Sequence, residues 1–120
     1  MCTPGALNPA AVADPQTTIC VPGYSEKMRP PESWSEPHKL ASMREYGVTD
    51  SPSNYEYDHL VAIEDGGAPM NTDNLWPQPH PQSSLKDRIE DRLHAQICAG
   101  KLTIQQAAQD LEGDSNRGIG

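Results

Sequence analysis

The chain has 120 residues, of which only 35% are hydrophobic, so it holds one small core and excludes two separately folded domains. Its 9 Lys and Arg residues against 17 Asp and Glu give a net charge of -8, which disfavours a general electrostatic attraction to nucleic acid or to an anionic membrane. No uninterrupted apolar run, residues 60–63 included, is longer than four residues, which is far too short to span a membrane.

The N-terminal segment, residues 1–35, is rich in Pro and contains one β-like patch at residues 17–21, Thr-Thr-Ile-Cys-Val. We therefore expect an irregular arm that wraps on the core, in which Arg29 has no assignable role. The arm is followed by Ser35, a typical helix N-cap, and by Pro37, which suits a first helical turn. With Gly47 as the stop, this pattern predicts a helix over residues 36–47.

Alternating apolar and polar residues predict a strand over residues 54–63, and the Gly66-Gly67 turn ends it. The following segment, residues 73–77, is a short second strand at most. Pro77, Pro79 and Pro81 are expected to prevent that strand from continuing, because proline cannot donate a backbone hydrogen bond.

Two capping boxes predict the C-terminal helices. Ser84 with Asp87 begins a helix that ends at Gly100, and Thr103 with Gln106 begins a second one over residues 103–112. The first of these helices has an apolar stripe formed by Leu85, Ile89, Leu93 and Ile97. Its other side carries four ionisable groups on one face, namely Asp87, Glu90, Asp91 and His94.

The three cysteines lie too far apart for a structural zinc knuckle. A small core gains most from a long-range bond, and a Cys20–Cys98 disulfide would contribute about 3 to 5 kcal/mol. The alternative is that both are small buried hydrophobic residues in a reducing cytoplasm. Cys2 is unpaired under either interpretation.

The first residues have neither a basic start nor an apolar core, so no signal peptide is visible. With a disulfide, we expect the mature form of a secreted or periplasmic protein. With reduced cysteines, the expectation is a cytoplasmic one.

Asp58-His59 within a predicted strand is a weak signal alone, since such a His is more often structural. Together with its surroundings it resembles the HNH endonuclease superfamily, the ββα-metal nucleases, and in particular small bacterial or phage HNH-like proteins. The resemblance rests on Tyr-Glu-Tyr-Asp-His-Leu-Val-Ala-Ile-Glu-Asp-Gly-Gly at 55–67, Asn-Leu-Trp-Pro-Gln-Pro at 74–79, and Lys86-Asp87 with Glu90 and Leu93-His94. It implies one α+β domain with a ββα-metal (HNH or His-Me finger) core at residues 54–100, an irregular arm and flanking helices.

The resemblance also implies roles for individual residues. His59 is expected to be the general base that deprotonates the attacking water, a task that suits an imidazole. Asp58 is expected to be a ligand of a divalent metal, Mg²⁺ or Mn²⁺ first and Zn²⁺ or Ni²⁺ as alternatives. Asn74 is expected to clamp the loop between the strands and so to orient His59, with a ligand role as the alternative.

The chain departs from the family where a His or Asn ligand normally lies on the helix, since residues 82–84 read Gln-Ser-Ser. The substitutes are His80 and Asp87. Asp87 is the favoured substitute ligand, because a carboxylate in the first helical turn points back towards the strands. Its presence is explained equally well by a role in capping the helix N-terminus. Lys86 and Arg88 are expected to contact phosphates of the substrate, the alternative for Arg88 being a solvated surface charge.

The expected function is therefore that of a metal-dependent, monomeric endonuclease that cleaves DNA rather than RNA with little sequence preference, and that has no membrane partner. One alternative is a catalytically silent HNH-like module that binds protein or nucleic acid. Another is an extracellular module in which Asp58, Asp87 and His94 bind a metal purely for stability.

Overall fold

The structure, a computed structural model, describes residues 5–80 and 84–116. These residues form a small α+β domain in which a two-stranded antiparallel sheet is surrounded by helices, as the sequence predicts at this level. The strands are β1 (Tyr55–His59) and β2 (Leu75–Pro79). The helices are α1 (Pro9–Ala13), α2 (Tyr24–Met28), α3 (Glu32–Glu45), α4 (Ser84–Cys98) and α5 (Ile104–Asn116).

The N-terminal arm is more regular than predicted, and the expected strand at residues 17–21 is wrong. Pro15 begins a 3₁₀ turn, and its carbonyl oxygen accepts from the N–H of Cys20 at 3.0 Å. A proline with fixed φ favours such a turn over an extended strand. Helices α1 and α2 flank this turn, and α2 begins after Gly23, which has a φ of 84°.

The predicted pairing is confirmed, because the structure brings Cys20 and Cys98 together as a disulfide pair. It joins the arm to the last residue of α4, and the carbonyl oxygen of Cys98 also accepts from Gln16 Nε2 at 3.0 Å. Ile19, only 2% exposed, packs into the core beside this bond. The arm is therefore held on the domain, while Cys2 lies outside the described residues.

Helix α3 begins earlier than predicted, at Glu32, and includes Pro37. Pro31 serves as its N-cap, and its carbonyl oxygen accepts from the N–H groups of Trp34 and Ser35. The helix ends as expected before Gly47, whose φ is 72°.

The hairpin differs from its prediction in both strands. Strand β1 ends at His59 rather than at residue 63, and β2 continues through Pro77 and Pro79. The register places Tyr57 opposite Pro77 and Tyr55 opposite Pro79. Backbone hydrogen bonds join the residue pairs on either side of these two, for example the N–H of His80 with the carbonyl oxygen of Asn54. Both prolines therefore occupy positions whose nitrogen faces the open edge, where no donor is needed.

Helix α4 agrees with its predicted bounds, whereas α5 continues through Gly113 to Asn116 rather than ending at residue 112, since one glycine costs a helix only about 1 kcal/mol. Thr103 Oγ1 accepts from the N–H of Gln106 at 3.1 Å, and Gln106 Oε1 accepts from the N–H of Thr103 at 2.9 Å, which confirms the second capping box. The Ser84 side chain and residues 82 and 83 lie outside what the structure describes. The main core contains Ala11, Ile19, Val61, Leu93, Ile97, Ile104, Ala107, Ala108 and Leu111.

A search of the described helices for membrane spans finds none that is long and apolar enough to cross a bilayer.

Removal of the disulfide tests how firmly the arm is attached. The bond closes a separation of 78 residues. Cys20→Ser with Cys98→Ser is expected to lower the free energy of unfolding by about 4 kcal/mol, because the unfolded chain regains the freedom that the bond removes. Urea unfolding of the oxidised protein and the double variant measures the difference, and equal midpoints would contradict the expectation.

Candidate functional site

His59 lies at the end of β1 with its ring held by the backbone. Its Nε2 atom is 2.9 Å from the carbonyl oxygen of Pro69. Because a carbonyl only accepts, Nε2 must carry the proton in this contact, which leaves the lone pair on Nδ1 in the neutral ring. Burial lowers the pKa of His59, although the Pro69 contact and the charge of Asp58 oppose that effect. The imidazole is thus neutral at neutral pH and has a fixed orientation.

Asn74, which is completely buried, holds the loop between the two strands. Its Oδ1 accepts from the N–H of Val61 at 2.9 Å, and its Nδ2 donates to the carbonyls of Val61 at 2.9 Å and Ala68 at 3.1 Å. Gly67 allows this close approach, since a Cβ there would lie 1.9 Å from the Val61 carbonyl oxygen. This is the geometry expected of a loop clamp, while the effect on His59 stays a prediction.

Asp58 makes an ion pair with a buried lysine. Lys86 Nζ lies 2.6 Å from Asp58 Oδ2 and donates to Gln78 Oε1 at 2.8 Å, and the Lys86 residue is only 4% exposed. A buried ammonium requires such partners, because its desolvation is otherwise costly. The structure therefore places Lys86 inside the site, against Asp58, rather than on the open surface expected of a phosphate contact.

Two clefts meet at Asp58 and His59. The large cleft, of about 590 Å³, lies between α3 and the hairpin and is lined by residues that include Lys39, Tyr55, Tyr57 and His80. The small cleft, of about 340 Å³, lies on the side of α4 and includes Glu64 and Glu90 in its lining. Arg29, Asp58 and His59 line both clefts. Although neighbouring strand residues face opposite ways, Asp58 and His59 both take part in the lining of each cleft.

The small cleft contains carboxyl groups that are partly withdrawn from water. Burial, with the charges of Asp58, Glu64 and Asp87, raises the pKa of Glu90 to about 8 despite the opposing charge of Lys86. Burial and a hydrogen bond with Asp91 raise the pKa of Glu64 to about 7. The sequence indicates only that Glu90 lies on the polar face of its helix. Because Glu90 follows Lys86 by one helical turn, the two side chains lie on the same side of the helix, and this spacing could have placed Glu90 at the site.

Asp65 is a buried acid that the sequence does not mark as a site residue, because the Asp-Gly-Gly pattern is typical of a turn. It is 0% exposed, and neither carboxyl oxygen has a hydrogen-bond partner among the residues that the structure describes. Burial, followed by the charges of Glu64, Glu90 and Asp91, raises the pKa of Asp65 to about 9. The folded protein therefore carries this carboxyl in its neutral form at neutral pH.

The predicted ligand set of Asp58, Asp87 and His80 is not brought together. Asp87 and His80 are both exposed, and only His80 lines a cleft with Asp58. Within residues 5–80 and 84–116, no three His, Cys, Asp or Glu side chains form a group that could hold a metal ion.

Asp58 and Glu90 are two further oxygen donors that line one cleft, and the charge of Asp58 contributes to the raised pKa of Glu90. Mg²⁺ is commonly held by only one or two carboxylates, with water and substrate phosphate completing its shell. Because Asp58 is paired with Lys86 and Glu90 holds a proton at neutral pH, a divalent ion would bind here only by displacing both.

Two further candidates lie away from the clefts. Arg88 is exposed on α4 and does not line either cleft. His94 Nδ1 lies 2.6 Å from the carbonyl oxygen of Glu64, and its Nε2 lies 3.8 Å from Cys98 Sγ. His94 thus links α4 to the turn at Ile63–Asp65. This structural contact accounts for the presence of a histidine on the polar face of α4.

No protein-family model matches the chain, and no curated protein or solved structure is similar enough to it to count as a match.

Substitution of Asn74 tests the clamp. Asn74→Ala is expected to lower the free energy of unfolding by about 3 kcal/mol or more, because it leaves a buried N–H and two carbonyls without partners. Asn71→Ala is the matched control, since exposed Asn71 only accepts from the N–H of Asp73, and it should cost about 1 kcal/mol. Urea unfolding measures both, and equal losses would contradict the clamp.

The buried acid predicts an unusual pH dependence of stability. Between about pH 4 and about pH 9 the folded protein keeps a proton on Asp65 that the unfolded chain has lost, so stability falls as pH rises through this window. Asp65→Asn should reduce that fall, and its advantage over the wild type should grow with pH. The midpoints of urea unfolding in EDTA, measured from pH 5 to pH 9, give the change of stability with pH. Asp110→Asn is the control, because Asp110 lies on the exposed face of α5, and its stability should change with pH as in the wild type.

Proposed function

We propose that this protein is a metal-dependent endonuclease of the HNH type, which hydrolyses phosphodiester bonds in DNA with little sequence preference. The observation that carries the proposal is the contact between His59 Nε2 and the Pro69 carbonyl, because it leaves Nδ1 as a base at the meeting point of two open clefts. A general base needs an available lone pair, a fixed orientation and access to water and substrate. The resemblance of the motif around Asp58-His59 to HNH enzymes supports the same assignment.

In this proposal His59 Nδ1 takes the proton from the water that attacks phosphorus. Asn74 keeps the loop closed, so that Pro69 holds the ring in the productive tautomer. Asp58 and Glu90 would hold Mg²⁺ or Mn²⁺, with Zn²⁺ or Ni²⁺ as alternatives; when bound, such an ion stabilises charge on the phosphoryl oxygens and on the leaving oxygen. Lys86 keeps the Asp58 carboxylate in place.

The setting of the protein is part of the proposal. The Cys20–Cys98 bond supports a secreted or periplasmic location, because such bonds persist in oxidising compartments. The net charge of -8 supports weak base readout, since few cations are present to hold a duplex in one register. We propose a monomer that acts on DNA rather than RNA.

The buried ion pair of Lys86 and Asp58 favours a second candidate function, a catalytically silent HNH-like binding module. A lysine already neutralises the carboxylate that would otherwise attract a metal, and the predicted ligands Asp87 and His80 do not join it. A silent module would fold and bind but would not cleave.

Cleavage of supercoiled plasmid separates the two candidates. We expect nicking by the purified protein with Mg²⁺ or Mn²⁺, with activity lost in EDTA. His59→Ala should lower the rate by about a hundredfold or more, the usual contribution of a general base. Because burial lowers the pKa of His59, the wild-type rate should persist below the ordinary pKa of histidine and fall only at more acidic pH.

His38→Ala is the matched control, since His38 stacks on Trp34 in α3 and does not line either cleft. It should cleave like the wild type. Glu90→Gln should raise the metal concentration required, because an amide cannot supply the negative charge that the Glu90 carboxyl gains when a metal displaces its proton. A folded wild type that cleaves with none of the four metals would favour the binding module.

A further inference from the structure

Arg29 is the cation that faces the candidate site from outside. It is exposed, it lies just after α2, and it lines both clefts together with Asp58 and His59. Resting on the proposed function, we infer that the Arg29 guanidinium binds a backbone phosphate of the nucleic-acid strand next to the scissile one, and that the large cleft receives that strand.

The other cations of the region are placed less well for this role. Lys86 is buried and already bound to Asp58 and Gln78. Arg88 projects from α4 without lining either cleft. Lys39 lines the large cleft only, at some distance along α3 from the small one. Arg29 is therefore the described cation that can meet a phosphate while His59 and Asp58 meet its neighbour.

The backbone of Arg29 is held in one conformation. The residue precedes Pro30, which restricts it to an extended geometry, and its φ and ψ are -61° and 131°. Helix α2 packs against the turn at Ile63–Asp65, and the Cys20–Cys98 bond fixes the arm upstream. Because the backbone is held in place, only the side chain of Arg29 has to be ordered on binding, which favours affinity.

The electrostatics of the clefts make this cation important. Glu32, Glu36 and Glu56 line the large cleft, and Glu26 lines the small one. These carboxylates repel a phosphodiester backbone unless a cation lies between them. Arginine can also donate two parallel hydrogen bonds to one phosphate, which lysine cannot do. A single flexible strand can bring one phosphate to Arg29 between these carboxylates, whereas a duplex would need a broader basic surface.

The test measures binding separately from cleavage. Fluorescence anisotropy with a short 5′-labelled single-stranded DNA, in EDTA so that no metal-dependent cleavage occurs, compares the wild type with Arg29→Ala, Arg29→Lys and Arg44→Ala. Arg44→Ala removes the same charge from the exposed end of α3, outside both clefts. Melting temperatures of all four proteins verify that each is folded.

We expect Arg29→Ala to bind about tenfold more weakly or worse, as for loss of a charged hydrogen bond, and Arg29→Lys to be intermediate. The salt dependence of log Kd should lose a slope of about 1 in Arg29→Ala, and Arg44→Ala should remain within about twofold of the wild type. If Arg29→Ala and Arg44→Ala bind equally, the inference is overturned, although plasmid cleavage by the wild type would leave the proposed function standing. A folded wild type that neither binds the probe nor cleaves plasmid overturns both.

Discussion

The buried amide of Asn74 is the interaction on which the site depends. It ties the start of β2 to the loop that follows β1 by three side-chain hydrogen bonds, in a space from which any side chain at position 67 is excluded. Pro69, whose carbonyl orients His59, comes directly after the clamped carbonyl of Ala68. The loop that carries Pro69 is therefore held by the satisfaction of buried backbone groups, and the proposed orientation of His59 would follow from the same condition of folding.

The charges around this clamp are stabilised unequally. Asp58 has the ammonium of Lys86, whereas Glu64, Glu90 and Asp65 are withdrawn from water without an equal amount of positive charge. Protonation lowers the cost of burying these carboxyl groups, but the free energy of unfolding then falls as the pH rises. Perturbed acids of this kind concentrate at functional sites, although structural networks also produce them. A bound cation would relieve the same repulsion, which is why the proposed metal and the proposed pH behaviour have one physical origin.

The arm connects stability with the proposed substrate contact. The disulfide and buried Ile19 fix the chain ahead of α2, and α2 in turn positions Arg29 above the hairpin. A segment that reads as an irregular wrapping in the sequence thus supplies one wall of both clefts. In an acidic domain, the proposed phosphate contact of Arg29 would take the place of the broad basic surface that the composition excludes.

Local signals in the sequence determined the start of α5 and the Gly47 and Gly100 stops of α3 and α4, because capping and turn preferences act over a few residues. The choice of Cys20 with Cys98 also followed from the sequence, since a long loop gains most from closure. Tertiary structure alone decided that Pro77 and Pro79 lie in a strand, that Lys86 is buried against Asp58, and that Glu90 and Arg29, rather than Asp87 and Arg88, face the clefts. Those outcomes depend on register, burial and the approach of charges from distant segments, which no local pattern of residue types encodes.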